Sequence, residues 1–149
     1  ATPLQMALVA AGIANRGDIM QPHVVDRVTD SNDGELLARV EAQLWRQAVV
    51  SEVAVATEAM MVGVVETGSA QSLARNNLTV GAKTGTAEVD TFSGAEDTHA
   101  WVIAFAGPSG GEPELALAVI VEAVPGQGQQ TGGAVAGPIA ASLIDTHFG

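Results

Sequence analysis

Apolar residues at Leu4, Ala7, Leu8, Ala11 and Ala14 recur with a helical period, which predicts a helix from about Thr2 to Asn15. Thr2 stands at its capping position, Pro3 at the first helical position and Gln5 three residues after the cap, a set that satisfies free amides at a helix start. Gly17 can take the left-handed conformation that stops it. Val24, Val25 and Val28 then form a β-rich run ending at Asp30, Asn32-Asp33-Gly34 signals a turn, and Leu36 to Val40 returns as a partner strand. This is a small peripheral hairpin. Ser51 is the cap candidate of a second helix, whose predicted apolar face joins Val53, Ala56, Met60, Met61, Val64 and Val65 and stops near Gly68.

Beyond Gly68 the pattern changes to short runs rich in β-branched or aromatic residues: Val80 to Val89, Ala100 to Ala106 and Leu115 to Val124. They are predicted to be consecutive antiparallel strands, the first two joined by an acidic, polar loop from Asp90 to Thr98. After the Gly/Gln-rich stretch Gly126 to Gly133, Ala134 to Ile144 is a closing helix with Pro138 near its start. No internal repeat or domain boundary interrupts the 149 residues, enough for one domain with its own core.

Charge narrows the partners. A formal net charge of −11 excludes nucleic acid as a partner, because that binding draws on Lys/Arg contacts to phosphate. An anionic membrane surface is disfavoured for the same reason. With no cysteine, disulfides and thiolate metal sites are excluded. No apolar stretch approaches the roughly 20 residues that cross a bilayer. The chain starts at Ala1-Thr2-Pro3 with a helix at once, so it is expected to be a fragment or one chain of a cleaved protein. Any export signal or anchor then lies outside it, and several of its helices should expose apolar faces that the rest of the protein covers.

The only lysine, Lys83, opens the run Lys83-Thr84-Gly85-Thr86. Thr84 and Thr86 are two apart, so in a strand both hydroxyls face one way and can grip one carboxylate. Lys83 faces the opposite way by strict alternation, but its long side chain can curl round a twisted edge. Gly85 has no Cβ, so a ligand backbone can approach and pair with the strand. The amide of Thr86 is then free to donate to a developing oxyanion. The chemistry requires an edge strand.

With Ala87 and Glu88 this run resembles the third active-site motif of the penicillin-binding proteins, serine acyltransferases that cross-link peptidoglycan and are acylated by β-lactams. Ala1-Thr2-Pro3-Leu4-Gln5-Met6-Ala7 with Ala14-Asn15-Arg16-Gly17 is similar to the helix after the family's second motif. Glu66-Thr67-Gly68-Ser69-Ala70 lies where the family has a Gly-Thr-Ala turn, His99-Ala100-Trp101-Val102 resembles its fourth strand, and Gly132 to Ile144 its last helix. The resemblance runs nearly end to end and is nearest to a class B, monofunctional enzyme of an actinobacterial type. It implies an α/β transpeptidase fold, an antiparallel sheet covered by helices on both faces, of which residues 1–149 are the C-terminal part.

In site terms the resemblance implies that Lys83 shapes the cleft's electrostatics and contacts the serine of the second motif. Thr84, Gly85 and Thr86 bind the substrate, the two threonines holding the terminal carboxylate of a D-Ala-D-Ala stem peptide or of a β-lactam. The Thr86 amide is half of the oxyanion hole. No cofactor is implied. No serine here has lysine three residues later and no Ser-x-Asn occurs, so the nucleophile, its base and the second motif must come from an N-terminal polypeptide of the same protein. Glu88, where glutamine is common, and Thr67-Gly68-Ser69 in place of Gly-Thr-Ala are smaller departures. A β-lactam sensor, or a serine β-lactamase or D,D-carboxypeptidase, shares these features. The implied location is the outer face of the cytoplasmic membrane, reached through an anchor absent from this chain.

Other polar residues carry less. His99 is expected to be structural, and His23 and His147 stand too far from it in sequence for metal-ligand spacing. Asp90, Glu96 and Asp97 are expected in a solvated loop, with nothing apolar nearby to raise a carboxylate pKa. Trp101 and Phe105 share one strand face and are expected in the core, while Glu112, Glu114 and Glu122 serve solubility.

Overall fold

The computed structural model describes residues 1–89, 97–126 and 128–149. The capped helix forms as α1, Pro3–Ala14: Gln5 N donates to Thr2 Oγ1 at 3.2 Å while Thr2 N donates to Gln5 Oε1 at 2.9 Å. It ends where Arg16 and Gly17 take positive φ, 55° and 97°. A Cβ on Gly17 would strike the carbonyl of Val49, so only glycine fits this turn.

The peripheral hairpin is present as β2, Arg27–Thr29, and β3, Leu36–Arg39, paired antiparallel. It is framed by a pair the sequence pattern does not reveal, β1, Asp18–Met20, with β4, Leu44–Gln47. These strands hold three and four residues, too few to establish an alternation. The second helix, α2, spans Ser51–Thr67, and its N-cap is Val50, not Ser51, whose side chain makes no capping bond. Its buried positions are Ala54, Met61 and Val65, while Val53 and Met60 of the predicted face stay exposed, as does Leu4 of α1.

Of the three later strands, β5, Leu78–Val89, and β6, Asp97–Pro108, are longer than the pattern suggests, while β7, Leu115–Val121, stops three residues short of the predicted Val124. They run in antiparallel order β5-β6-β7. Ala82, Ala100, Val102, Ala104, Leu117 and Val119 form one face of this sheet and pack with Ala140 and Ile144 of α3, Gly137–Phe148. On the opposite face α1 lies against β6 and β7. Helices therefore cover both faces. A π-helical turn, Gly132–Ala136, leads into α3, and a short 3-10 turn, Gln71–Leu73, leads out of α2.

Asp97 corrects the solvated-loop expectation; Asp90 and Glu96 lie outside the described residues. It is 1% exposed, and its carboxylate accepts from Gly126 N and Gly128 N at 2.9 and 2.8 Å. Thr98 Oγ1 donates to Gln130 O at 2.8 Å and accepts from Gln130 N at 2.7 Å, and His99 Nδ1 accepts from Ala123 N at 2.8 Å. Three consecutive side chains at the start of β6 thus tie down the stretch that follows β7. Replacing Asp97 with alanine leaves two amides without this acceptor, an expected loss of about 1–3 kcal/mol. Hydrogen exchange at Gly126 and Gly128 should accelerate, and unchanged protection would contradict the clamp.

Arg75 closes the other end of the core. Its Nε and Nη2 donate to Asp145 Oδ1 and Oδ2 at 2.5 and 2.7 Å, and its Nη1 donates to the carbonyls of Ser72 and Ala74. The hydrogen bond from Arg75 lowers the Asp145 carboxyl below its ordinary 3.8, outweighing the opposing loss of hydration. A folded value below the unfolded one means that the stabilisation is complete above 3.8 and is lost as pH falls through the folded value. Asp145→Asn should melt lower than the parent near neutrality, with the gap closing on acidification. A gap that widens in acid would reverse the assignment.

Candidate active site

Among the described residues β5 pairs with β6 alone, so it is the edge strand that the chemistry requires, and Lys83 to Thr86 lie at its middle. Register sets the faces. Lys83, Gly85 and Ala87 stand opposite Ile103, Trp101 and His99, while Thr84 and Thr86 stand opposite Val102 and Ala100. Lys83 therefore does start on the other face from the threonines. Its side chain bends back and Nζ donates to the Thr84 carbonyl at 2.6 Å. Among the described residues no carboxylate lies within 4.0 Å of that ammonium, so its charge is not neutralised by an ion pair.

The four residues line one cleft of about 690 Å³, walled by Met6, His99, Trp101, Ile103, Ile120 and Glu122. Lys83 and Thr86 are exposed and Thr84 is half-buried. Trp101 corrects the core expectation. It shares a face with Phe105, as predicted, but only Phe105 is fully buried, and Trp101 forms the cleft wall. A similar cleft of about 640 Å³ between α1 and β7 holds the exposed pair Arg16 and Glu112 at 3.4 Å and no group of the proposed chemistry.

Gly85 is hemmed in on both sides. A Cβ there would sit 3.3 Å from Trp101 Cβ, and on the opposite face Gly132 rests against Gly85 N and O. The same glycine turn brings Gly133 against the Ser69 carbonyl. Ser69 Oγ lies 2.6 Å from Thr84 Oγ1. Sequence reasoning placed Ser69 only in a turn. The signal available was its position in the stretch resembling a Gly-Thr-Ala turn, but the contact spans 15 residues and has no local signature.

An exposed lysine, two threonines and a strand edge line one cleft, a setting that suits a small anion. Known proteins give the family. Residues 1–145 match the penicillin binding protein transpeptidase domain, and the chain belongs to that family. It is 38% identical to the peptidoglycan D,D-transpeptidase PbpA of Mycolicibacterium smegmatis over 96% of this chain and 28% of that protein. Its fold matches penicillin-binding protein A of Mycobacterium tuberculosis in a ceftriaxone acyl-enzyme complex, with TM-score 0.82 and 34% identity over 99% of this chain and 32% of that one. Penicillin-binding protein 2B of Streptococcus pneumoniae, at 24% identity and TM-score 0.78, shares the fold. The chain thus spans about a third or less of the length of these relatives.

Proposed function

We propose that residues 1–149 are the C-terminal part of the transpeptidase domain of a peptidoglycan D,D-transpeptidase and supply its Lys-Thr-Gly strand. The observation that carries this is the convergence of Lys83, Thr84 and Thr86 on one cleft at an unpaired strand edge. A serine from the N-terminal part of the protein attacks the carbonyl between the two terminal D-alanines of a stem peptide. The last D-alanine leaves, and a neighbouring stem peptide's amine takes the acyl group from the serine. Thr84 and Thr86 hold the terminal carboxylate by donating hydroxyl protons. The Thr86 amide stabilises the oxyanion, and Lys83 supplies positive potential and contacts the serine of the second motif. A β-lactam enters by the same contacts and stays as an acyl adduct.

Cell-wall cross-linking places the site outside the cytoplasmic membrane. No helix among the described residues is long and apolar enough to cross a membrane. The test is a denaturing mass spectrum of the complete protein after exposure to benzylpenicillin. One long-lived penicilloyl group outside residues 1–149 is expected. An adduct on this chain would overturn the assignment of the nucleophile, and rapid loss of the adduct would indicate a hydrolase.

A further inference from the structure

Ser69 is held from three directions. Gly68 N and Ala70 N both donate to Val64 O, at 3.0 and 3.2 Å, so the end of α2 fixes the backbone on either side of it. Gly133 closes on its carbonyl, and its hydroxyl meets Thr84 Oγ1 at 2.6 Å. The Thr84 hydroxyl is in turn directed at Ser69.

A hydroxyl has one proton to give. If Thr84 donates that proton to a ligand carboxylate, its contact with Ser69 requires Ser69 to be the donor and Thr84 the acceptor. We infer that Ser69 is a positioning residue for substrate binding: it donates to Thr84 Oγ1 and thereby commits the Thr84 proton to the carboxylate. The inference rests on the transpeptidase reading of the cleft. A donor feeding a donor polarises the second hydroxyl, so the bond to the anion is stronger than an isolated threonine would make. Ser69 itself does not touch the ligand.

The assignment predicts an effect confined to ligands with a carboxylate. In the complete protein, Ser69→Ala should lower the second-order acylation rate for benzylpenicillin about tenfold, mainly through weaker binding before acylation. Acylation by benzylpenicillin methyl ester, which has no carboxylate, should stay within about twofold of the parent. Ser69→Thr keeps the hydroxyl and should restore most of the rate. Equal losses with acid and ester would mean a merely structural role and overturn the inference. An unchanged or faster reaction with the acid would also overturn it, because Thr84 would then have been donating to Ser69. A parent protein that takes up neither compound would overturn the transpeptidase reading and this role with it, an outcome visible without any variant.

Discussion

Thr86→Pro, which removes the amide as well as the hydroxyl, is expected to lower the rate of acylation by benzylpenicillin by at least about 10²- to 10³-fold, the loss typical of one oxyanion donor. Thr86→Ala should cost only about tenfold, because it removes one hydroxyl bond and keeps the amide. The contrast follows from pairing. In an antiparallel strand, alternate residues turn N–H and C=O toward the partner and away from it. The Thr84 carbonyl is taken by Lys83 Nζ, which places it on the side away from β6. Two residues on, the Thr86 amide points the same way. Proline there deletes no ladder bond, and an edge strand tolerates it. Stopped-flow acylation of the complete protein checks both variants, with a melting curve to show that the sheet survives. A proline variant that acylates at the parent rate would remove the amide from the mechanism.

Gly132→Ala should be strongly destabilising. A Cβ there would collide with the Trp101 carbonyl oxygen and stand 2.8 and 3.0 Å from Gly85 O and N. All three atoms are sheet backbone and cannot swing aside as a side chain tip would. The expected loss is about 3 kcal/mol, at the upper end of overpacking. Acylation should fall as well, since the turn that is pushed away backs the strand between Thr84 and Thr86. Gly34 is the control. It has nothing within 4 Å and φ of 76°, so Gly34→Ala carries only left-handed strain, about 1–2 kcal/mol, and leaves acylation untouched. Denaturant unfolding of the two variants separates the mechanisms, and similar losses in both would mean that contact with the sheet is not what requires Gly132.

Much of this was legible one segment at a time. The capping box of α1, the hairpin turn at Gly34, the three strands in order and the closing helix all rest on residues within a turn or a strand of one another. The Lys83 run and the lack of any serine with lysine three residues later were equally plain, since both concern neighbours in sequence. The misjudged residues share a cause. Asp97 looked solvated because the amides that donate to it lie 29 and 31 residues away. Val53 and Met60 looked buried because helical period marks a face without saying which part of it meets a neighbour. Trp101 looked like core because alternation assigns it to the face it shares with Phe105, whereas that face is buried at Phe105 and opens into the cleft at Trp101.

The sequence by itself determined the helices, the hairpin, the three-stranded sheet, their order and the Lys83 motif, though not the β1–β4 pair, because propensity, capping and alternation act between residues close along the chain. Only the tertiary structure decided that Lys83 bends to the Thr84 carbonyl, that Ser69 meets the Thr84 hydroxyl, and that Gly132 lies flat behind Gly85. Those outcomes depend on how α2, β5 and the turn before α3 come together. Contacts between distant segments are selected by packing and by satisfying buried polar groups across the whole molecule, and no local window carries that information.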